Sequence, residues 1–408
     1  AMGDVAAGYI PRQGALRPMG SDYQNNILIP AAGLHATVTD MARFMLGHLG
    51  ARPQVLTDAT LREMHERHFS LQPQAAGVTY GSFEHVQNGR RGLIHDGDWD
   101  GFANRLFLLP EENLGFFVTL NTSSVVVRGS MLGKFLDHYY PATKPPSSPA
   151  EHSSGEGAEN LRRFEGTYWW ARFPQGTFFK TFKILARVRL ARVGELLRLG
   201  TSGSVPNALN YPEMLFTRKA PLLFERIDGK GQLAFREDGS GQITHLQIDV
   251  PEIKVIGQTL FERVPWHGGT RFQLVSIAII AALLASGALR HLPYAVRFAR
   301  RGHLETQDAG RARLCAAAAG LLSLAFPVAF LLTLRTILVY QSHPLFAAAL
   351  TIPLLVAALL PALGYFAALA WSRRFWSVAG RVHYSLFTAA ALGYLAFLQY
   401  WNLLGYHY

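Results

Sequence analysis

The pattern of hydrophobic and polar positions changes about two thirds of the way along this chain of 408 residues. Charged residues are frequent as far as Arg271, and beyond it four stretches contain no Asp, Glu, Lys or Arg: about 272–289, 314–334, 345–371 and 384–406. A helix needs about 20 apolar residues to cross a bilayer, and each stretch meets that requirement. None shows the polar stripe of a helix at the surface of a globular domain. The pattern therefore predicts that residues 269–408 form a transmembrane region of four helices, with the lipid bilayer as a partner.

Residues 1–143 mix helical and strand-like patterns and are predicted to be α+β. Thr37 and Asp40 have the Ser/Thr-x-x-acid spacing that caps a helix, and apolar residues follow on one helical face. Two apolar runs within 105–120, divided by the turn-forming sequence PEEN, predict a β-hairpin. A helix over about 125–139 is expected to close this unit.

The region between these two parts has a different composition. Residues 144–160 are rich in Pro, Ser, Gly and Glu without a periodic apolar face, which is typical of a linker. Residues 161–268 contain short apolar runs separated by glycine-rich turns, and this spacing predicts a small all-β domain, either a sandwich or a barrel. Trp169 and Trp170 could line a binding cavity, although aromatic residues in such a domain are more often part of the core.

The basic residues near the apolar stretches indicate an orientation. Loop 290–313 carries six arginines against two acids, and loop 372–383 carries three arginines and no acid, whereas residues 335–344 contain one arginine. Basic loops remain in the cytoplasm, so everything before the first span is predicted to be extracytoplasmic in a multi-pass protein of the cell inner or plasma membrane. Export of that domain requires a signal, and Ala1 does not begin one. The expectation is that the chain is the C-terminal part of a longer protein.

Composition excludes several other classes. The net charge of +11 and pI near 9.8 would fit nucleic-acid binding, but the excess arginines flank the spans, and no nucleic-acid partner is expected. Cys315 is the only cysteine, so an intrachain disulfide or a cysteine-based metal site cannot form. His65 and His68 are three residues apart on a predicted helix, which is only weak evidence for a metal site. The chain has no phosphate-binding loop and no His-Glu-x-x-His pair, so no cofactor or metal is expected. The spans lack the acids and bases typical of transporters.

Three segments carry a family resemblance. They are PAAGLHATVTDMARF at 30–44, HDGDWDGF at 95–102 and LPEENLG at 109–115. In this order they resemble the serine β-lactamase and penicillin-binding-protein-like hydrolases, the group that includes class C β-lactamases, D-aminopeptidases and esterases. The resemblance covers about residues 8–140. Some members continue into a β-rich domain and a helical membrane region, which implies a multidomain chain: a partial α+β serine-hydrolase domain, a small all-β domain and a four-helix transmembrane region.

The resemblance implies a site at His95 and Gly97. In the family, the His or Lys of this strand faces the nucleophile and helps to hold substrate, and the strand contributes a backbone N–H to the oxyanion hole. His95 is the positional match, and Gly97 would allow a ligand to approach the backbone closely. Imidazole can exchange protons near neutral pH, and preorganised donors stabilise developing negative charge. The alternative is an ordinary loop histidine beside Asp96 and Asp98.

The nucleophile motif of the family, Ser-x-x-Lys, is absent from the chain, because no lysine has a serine three positions before it. Two Tyr-x-Asn strings, at 23–25 and 400–402, are interpreted as accidental. The leading prediction is the C-terminal portion of a membrane-anchored serine hydrolase that acts by acyl transfer on an amide, lactam or ester, with a small-molecule or peptidoglycan-like substrate. The alternative is a non-catalytic, membrane-anchored protein that binds a cell-envelope ligand.

Overall fold

The structure is a computed structural model that describes residues 5–12, 14–19, 33–51, 55–99, 101–142, 161–201, 213–250, 259–301, 306–340 and 344–407. The predicted linker 144–160, the first Tyr-x-Asn string and the start of the 30–44 segment lie outside the described residues. The chain forms two compact units. The first contains the described residues of 1–24, 28–172 and 183–264, and the second contains those of 173–182 and 265–408.

The first unit begins with a two-stranded antiparallel sheet and two helices. Its elements are β1 (Tyr9–Arg12), β2 (Ala15–Pro18), α1 (Val38–His48) and α2 (Asp58–His65). The predicted capping pair is confirmed, because the Thr37 hydroxyl accepts from the Asp40 N–H at 3.1 Å and the Asp40 carboxylate accepts from the Thr37 N–H at 3.1 Å. These reciprocal bonds satisfy two backbone donors and fix where α1 begins.

A four-stranded antiparallel sheet follows, with β3 (Phe83–Gln87), β4 (Arg90–Trp99), β5 (Phe102–Leu109) and β6 (Leu114–Leu120) in sequential order. The β5–β6 hairpin is the predicted one, although β5 begins at Phe102. Helix α3 (Val125–Tyr139) covers one face through a cluster that includes Ile94, Phe107 and Leu132. On the other face, Leu93 and Leu108 pack against residues of α1.

The second half of the first unit is a closed antiparallel barrel of eight strands, which resolves the choice between sandwich and barrel. The strands are β7 (Gly166–Trp170), β8 (Arg187–Val193), β9 (Leu196–Thr201), β10 (Met214–Ala220), β11 (Leu223–Arg226), β12 (Gln232–Glu237), β13 (Ile243–Asp249) and β14 (Thr259–Arg263). Apolar side chains fill its interior, among them Phe164, Phe216 and Phe235, each fully buried. Trp169 is buried and Trp170 packs against this core.

Four helices form most of the second unit: α4 (Thr270–Arg301), α5 (Gln307–Tyr340), α6 (Pro344–Ser372) and α7 (Val378–Tyr400). Among the described residues, three stretches are long and apolar enough to cross a membrane: Thr270–Arg297, Gln307–Leu334 and Pro344–Ser372, with mean hydropathy 2.2, 2.2 and 2.3. The prediction of four spans is therefore confirmed for three only. Helix α7 ends at Tyr400, not 406, and its Arg381, His383 and several Ser, Thr, Gly and Tyr residues lower its hydropathy.

The stretch Phe173–Phe182, between β7 and β8, also belongs to the second unit. Phe178 is fully buried, its ring centroid lies 5.1 Å from that of Phe346, and its N–H donates to the His407 carbonyl at 2.9 Å. Asn402 of the second Tyr-x-Asn string donates to the Gln175 carbonyl at 2.6 Å. Asn402 therefore has a structural partner within this unit.

Candidate functional site

Strand β4 divides the residues of the HDGDWDGF segment between two faces of the sheet. Successive side chains of a strand point to opposite sides. His95 and Gly97 are exposed on the face that carries α1, whereas Asp96 is buried on the face that carries α3. His95 therefore lies within a strand and not in a loop, and the carboxylates of Asp96 and Asp98 lie on the other face of the sheet.

His95 and Gly97 line one cavity of about 980 Å³. The walls come from the exposed face of the sheet, from α1 and from the backbone segments before α1 and before β3. They include the described end of the 30–44 segment, from Gly33 to Val38. Two segments that are more than fifty residues apart in sequence therefore meet at the same cavity.

The lining of the cavity is largely apolar and aromatic. The larger side chains are Met41, Phe44, Met64, Tyr80, Trp99, Phe102 and Phe117. The acidic and imidazole side chains in the lining are Asp40, His35, His48 and His95. Asp40 is already engaged with Thr37 and Arg43 at the start of α1. A few polar groups in an apolar cleft are typical of a small-molecule site.

Two polar residues that the sequence interpretation missed lie next to Gly97. Asn104 of β5 is the register partner of Gly97, and Thr119 of β6 is the register partner of Asn104. The Thr119 hydroxyl donates to the Asn104 side-chain oxygen at 2.5 Å. The alternation of residues along 102–109 places Asn104 on the same face as Phe102, and that signal could have identified it.

The space above Gly97 is open. A Cβ built on Gly97 would have Asn104 as its nearest neighbour at 3.7 Å, which is ordinary van der Waals contact. By contrast, a Cβ on Gly92, earlier in the same strand, would lie 2.2 Å from the Phe107 ring. Gly97 is therefore not required by internal packing, and the backbone beside it is accessible from the cavity.

The opposite face of β4 carries a buried network of ion pairs. The Arg105 guanidinium donates twice to Asp96, at 2.7 and 2.8 Å, and Arg128 of α3 donates to Asp96 at 3.2 Å and also to Asp98. Arg128 is fully buried. Burial raises the pKa of Asp98, and the neighbouring Arg128 only partly opposes that effect. The network joins β4 to β5 and α3 and so holds the strand that presents His95.

His65, the first of the two histidines considered for a metal site, pairs with His48 instead of His68. The His48 Nδ1 and His65 Nε2 atoms are 3.1 Å apart, whereas the His68 ring stacks on Tyr80 with centroids 3.8 Å apart. Burial lowers the pKa of both His48 and His65, which favours the neutral imidazoles. No group of three or more His, Cys, Asp or Glu that could hold a metal ion occurs among the described residues.

Comparison with known proteins agrees with the family resemblance of the N-terminal region. Residues 2–132 match the family model of the β-lactamases. No curated protein matches the chain.

Solved structures give weaker likenesses. The octameric penicillin-binding protein homologue from Pyrococcus abyssi has a TM-score of 0.28 at 16% identity, over 64% of this chain and 53% of that one. SurE has a TM-score of 0.37 at 17% identity, over 63% of this chain and 55% of that one, and SurE with D-Leu has 0.35 at 16%, over 55% and 49%. The chain thus spans about half the length of these proteins. All three scores are below 0.5, so the family assignment rests on the sequence match.

Proposed function

Because residues 2–132 of this chain match the family model of the β-lactamases, we propose that the cavity beside His95 is part of the substrate site of a serine hydrolase. The reaction is acyl transfer on an amide, lactam or ester. The observation that carries the proposal is that His95, Gly97 and the Gly33–Val38 backbone line a single cavity. These are the segments on which the resemblance to the family depends.

His95 has the position and chemistry of a proton-transfer group. Its ring is exposed to the cavity, and the two neighbouring aspartates lie on the other side of the sheet, paired with arginines. Histidine is the side chain that most often acts as a general acid or base in enzymes. Gly97 allows the scissile carbonyl to approach the strand. Asn104, its register partner on β5, offers a polar side chain beside it.

The cavity wall favours an apolar acyl group. Aromatic side chains from α1 and from the sheet dominate the lining, including Phe44, Trp99 and Phe117. Burial of apolar surface contributes about 25 cal/mol for each Å² removed from water. A substrate with a small-molecule or peptidoglycan-like acyl group would gain affinity from these contacts while His95 faces the reacting bond.

The 408 residues contain no Ser-x-x-Lys motif. The proposal therefore assigns to this chain the cavity lining that contacts the substrate and His95 as the group that transfers a proton. The serine that forms the acyl-enzyme, and the lysine that activates it, are not assigned to residues of this chain. In that reaction the serine oxygen bonds to the carbonyl carbon, the leaving group departs with a proton, and water later releases the acid.

The proposed location is the inner or plasma membrane, with the soluble portion outside the cytoplasm. Three helices long and apolar enough to span a bilayer support an anchor. The predicted basic loop 290–313 is mostly helical, since its arginines lie at the end of α4 and the start of α5. These arginines and the two in the turn after α6 support the orientation, because positive residues that flank spans remain in the cytoplasm.

A second function, reversible binding of a cell-envelope ligand without catalysis, is supported by the cavity combined with the absence of the nucleophile motif from these residues. The two functions differ in covalent chemistry. An acyl-transfer site labels with a fluorophosphonate once its serine is present, whereas a binding protein does not.

The first test uses the 408-residue chain in detergent with phenyl butyrate as a neutral ester probe. The emission of Trp99, isolated as the difference from Trp99→Phe, should change as the ester binds. His95→Ala and Gly97→Val should weaken binding, and His138→Ala, an exposed histidine on α3, should not. A fluorophosphonate should leave this chain unlabelled. Stoichiometric labelling, or ester binding that is the same in all variants, would refute the proposal.

A further inference from the structure

The turn between α6 and α7 forms a second cavity, far along the chain from His95. Its volume is about 510 Å³, and the lining consists of Thr306, Asp308, Ala309, Arg373, Arg374, Phe375 and Trp376. All of these residues belong to the second unit. The cavity therefore lies at the ends of the apolar helices α5 and α6.

The backbone of this turn is anchored by an apolar residue. Phe375 is buried in a cluster with Ala309 and Ala370, and its N–H donates to the Ala370 carbonyl at 3.0 Å. The residues on either side of Phe375 have left-handed backbone conformations, with φ of 53° at Arg374 and 51° at Trp376. A left-handed residue just after the last turn is a common way to end a helix, and here it places Arg374 in the lining of the cavity.

The charges around the cavity leave one arginine available. Among the described residues of the lining, Asp308 is the one acidic side chain, and it pairs with Arg373 and, at 3.8 Å, with Arg311. Arg374 is exposed and has no carboxylate within ion-pair distance among the residues that the structure describes. Thr306 already accepts the N–H groups of Ala309 and Gly310 at the start of α5, so the free positive group is the guanidinium and not the helix end.

We propose that this cavity binds the phosphate group of an anionic phospholipid. A guanidinium presents a planar fork of donors that matches phosphate oxygens. Trp376 lies beside it, its ring 4.6 Å from the Arg313 guanidinium, and tryptophan is enriched at the headgroup level of bilayers. Basic pockets at the cytoplasmic ends of membrane helices are suited to such headgroups. The proposal rests on the membrane anchor and is independent of the acyl-transfer chemistry.

The test is native mass spectrometry of the full chain released from vesicles that contain equal amounts of phosphatidylglycerol and phosphatidylcholine. The wild-type chain should retain phosphatidylglycerol preferentially. Arg374→Gln should lower that preference about fivefold, the size expected for one arginine near a charged headgroup. Arg271→Gln, at an exposed arginine at the start of α4, should leave the ratio unchanged.

Arg374→Gly guards against a folding artefact, because glycine adopts a positive φ without strain while the guanidinium is lost. It should lose the preference and keep a wild-type melting temperature. An excess of inorganic phosphate distinguishes the source of the phosphate group. If phosphate does not displace the retained lipid, the lipid assignment stands. Equal retention of the two lipids, an unchanged ratio in Arg374→Gly, or binding of inorganic phosphate without lipid preference would overturn it.

Discussion

The barrel and the four-stranded sheet of the first unit are both antiparallel, but they use their faces differently. The barrel closes on itself, and its inward face is filled by apolar side chains such as Phe216 and Phe235. The sheet is open, and each face of β4 has its own environment. Behind the strand lie buried ion pairs with Arg105 and Arg128, and in front lies a cavity that exposes His95. The barrel interior is therefore filled by side chains, whereas the front face of β4 borders open space.

The largest expected effect of a substitution is in the barrel. Phe235→Ala removes a fully buried ring, and such a cavity typically costs about 3–5 kcal/mol of unfolding free energy. Native-state hydrogen exchange of β12 and β13 amides measures it. Val193→Ala, at an exposed position on β8, is the matched control and should change exchange little. Equal effects of the two substitutions would mean that the barrel interior is not the core.

The ion-pair network should come next in size. Arg128→Met leaves Asp98 without its arginine and Asp96 with only Arg105, and removal of one partner from a buried pair costs about 3 kcal/mol. Hydrogen exchange of β4 and α3 amides should report the loss. Arg43→Met breaks the exposed pair with Asp40 and should leave protection nearly unchanged. If both variants behave alike, the network does not hold β4.

Two glycines of β4 separate packing from ligand access. Gly92→Ala should destabilise the sheet by about 1–3 kcal/mol, because the new methyl group meets the Phe107 ring and lies 2.9 Å from the Leu108 carbonyl oxygen. Gly97→Ala should change the unfolding free energy by less than about 0.5 kcal/mol, since its methyl group enters the cavity.

Binding of phenyl butyrate should show the reverse order, weakened by Gly97→Ala and retained by whatever fraction of Gly92→Ala is folded. Exchange protection and Trp99 emission provide the two measurements. A large loss of stability in Gly97→Ala would contradict the open space above this residue.

The last expected effect is a change in pH dependence. Burial alone would raise the pKa of Glu84, but hydrogen bonds from Arg91, the Gly77 N–H and Arg67 outweigh it and hold the pKa below the ordinary 4.5. A lowered carboxyl pKa adds stability above the unfolded value, and that stability is lost as pH falls through the folded value. Exchange protection of β3 should therefore decrease below about pH 4.5. Glu84→Gln should flatten this decrease, and an identical pH profile in the variant would contradict the assignment.

Local patterns predicted much of the first unit because the interactions that decide them are local. The capping pair Thr37 and Asp40 is three residues apart, and the hairpin is set by a four-residue turn. The alternation along β4 already implied that Asp96 and Asp98 turn away from His95, a consequence that the sequence interpretation did not draw.

Long-range pairings could not be read in the same way. Closure of the barrel depends on the last strand, β14, pairing with the first, β7, and short apolar runs do not specify that pairing. Asn104 and Thr119 become neighbours of Gly97 only through strand register, and His48 meets His65 through helix packing. The predicted bounds of the last span, 384–406, were wrong because a stretch without charged residues does not mark where a helix begins or ends. Helix α7 ends at Tyr400, and Trp401 and Asn402 have backbone conformations that are not helical.

The most direct test of the central claim is activity-based labelling of the protein as its own cells produce it. After treatment with a fluorophosphonate, mass spectrometry should place the label on a serine three positions before a lysine, a motif that these 408 residues do not contain. His95→Ala should slow labelling about a hundredfold, the lower range for loss of a general acid or base, and His138→Ala should not. A label on a serine within the 408 residues, or an unchanged rate in His95→Ala, would contradict the account.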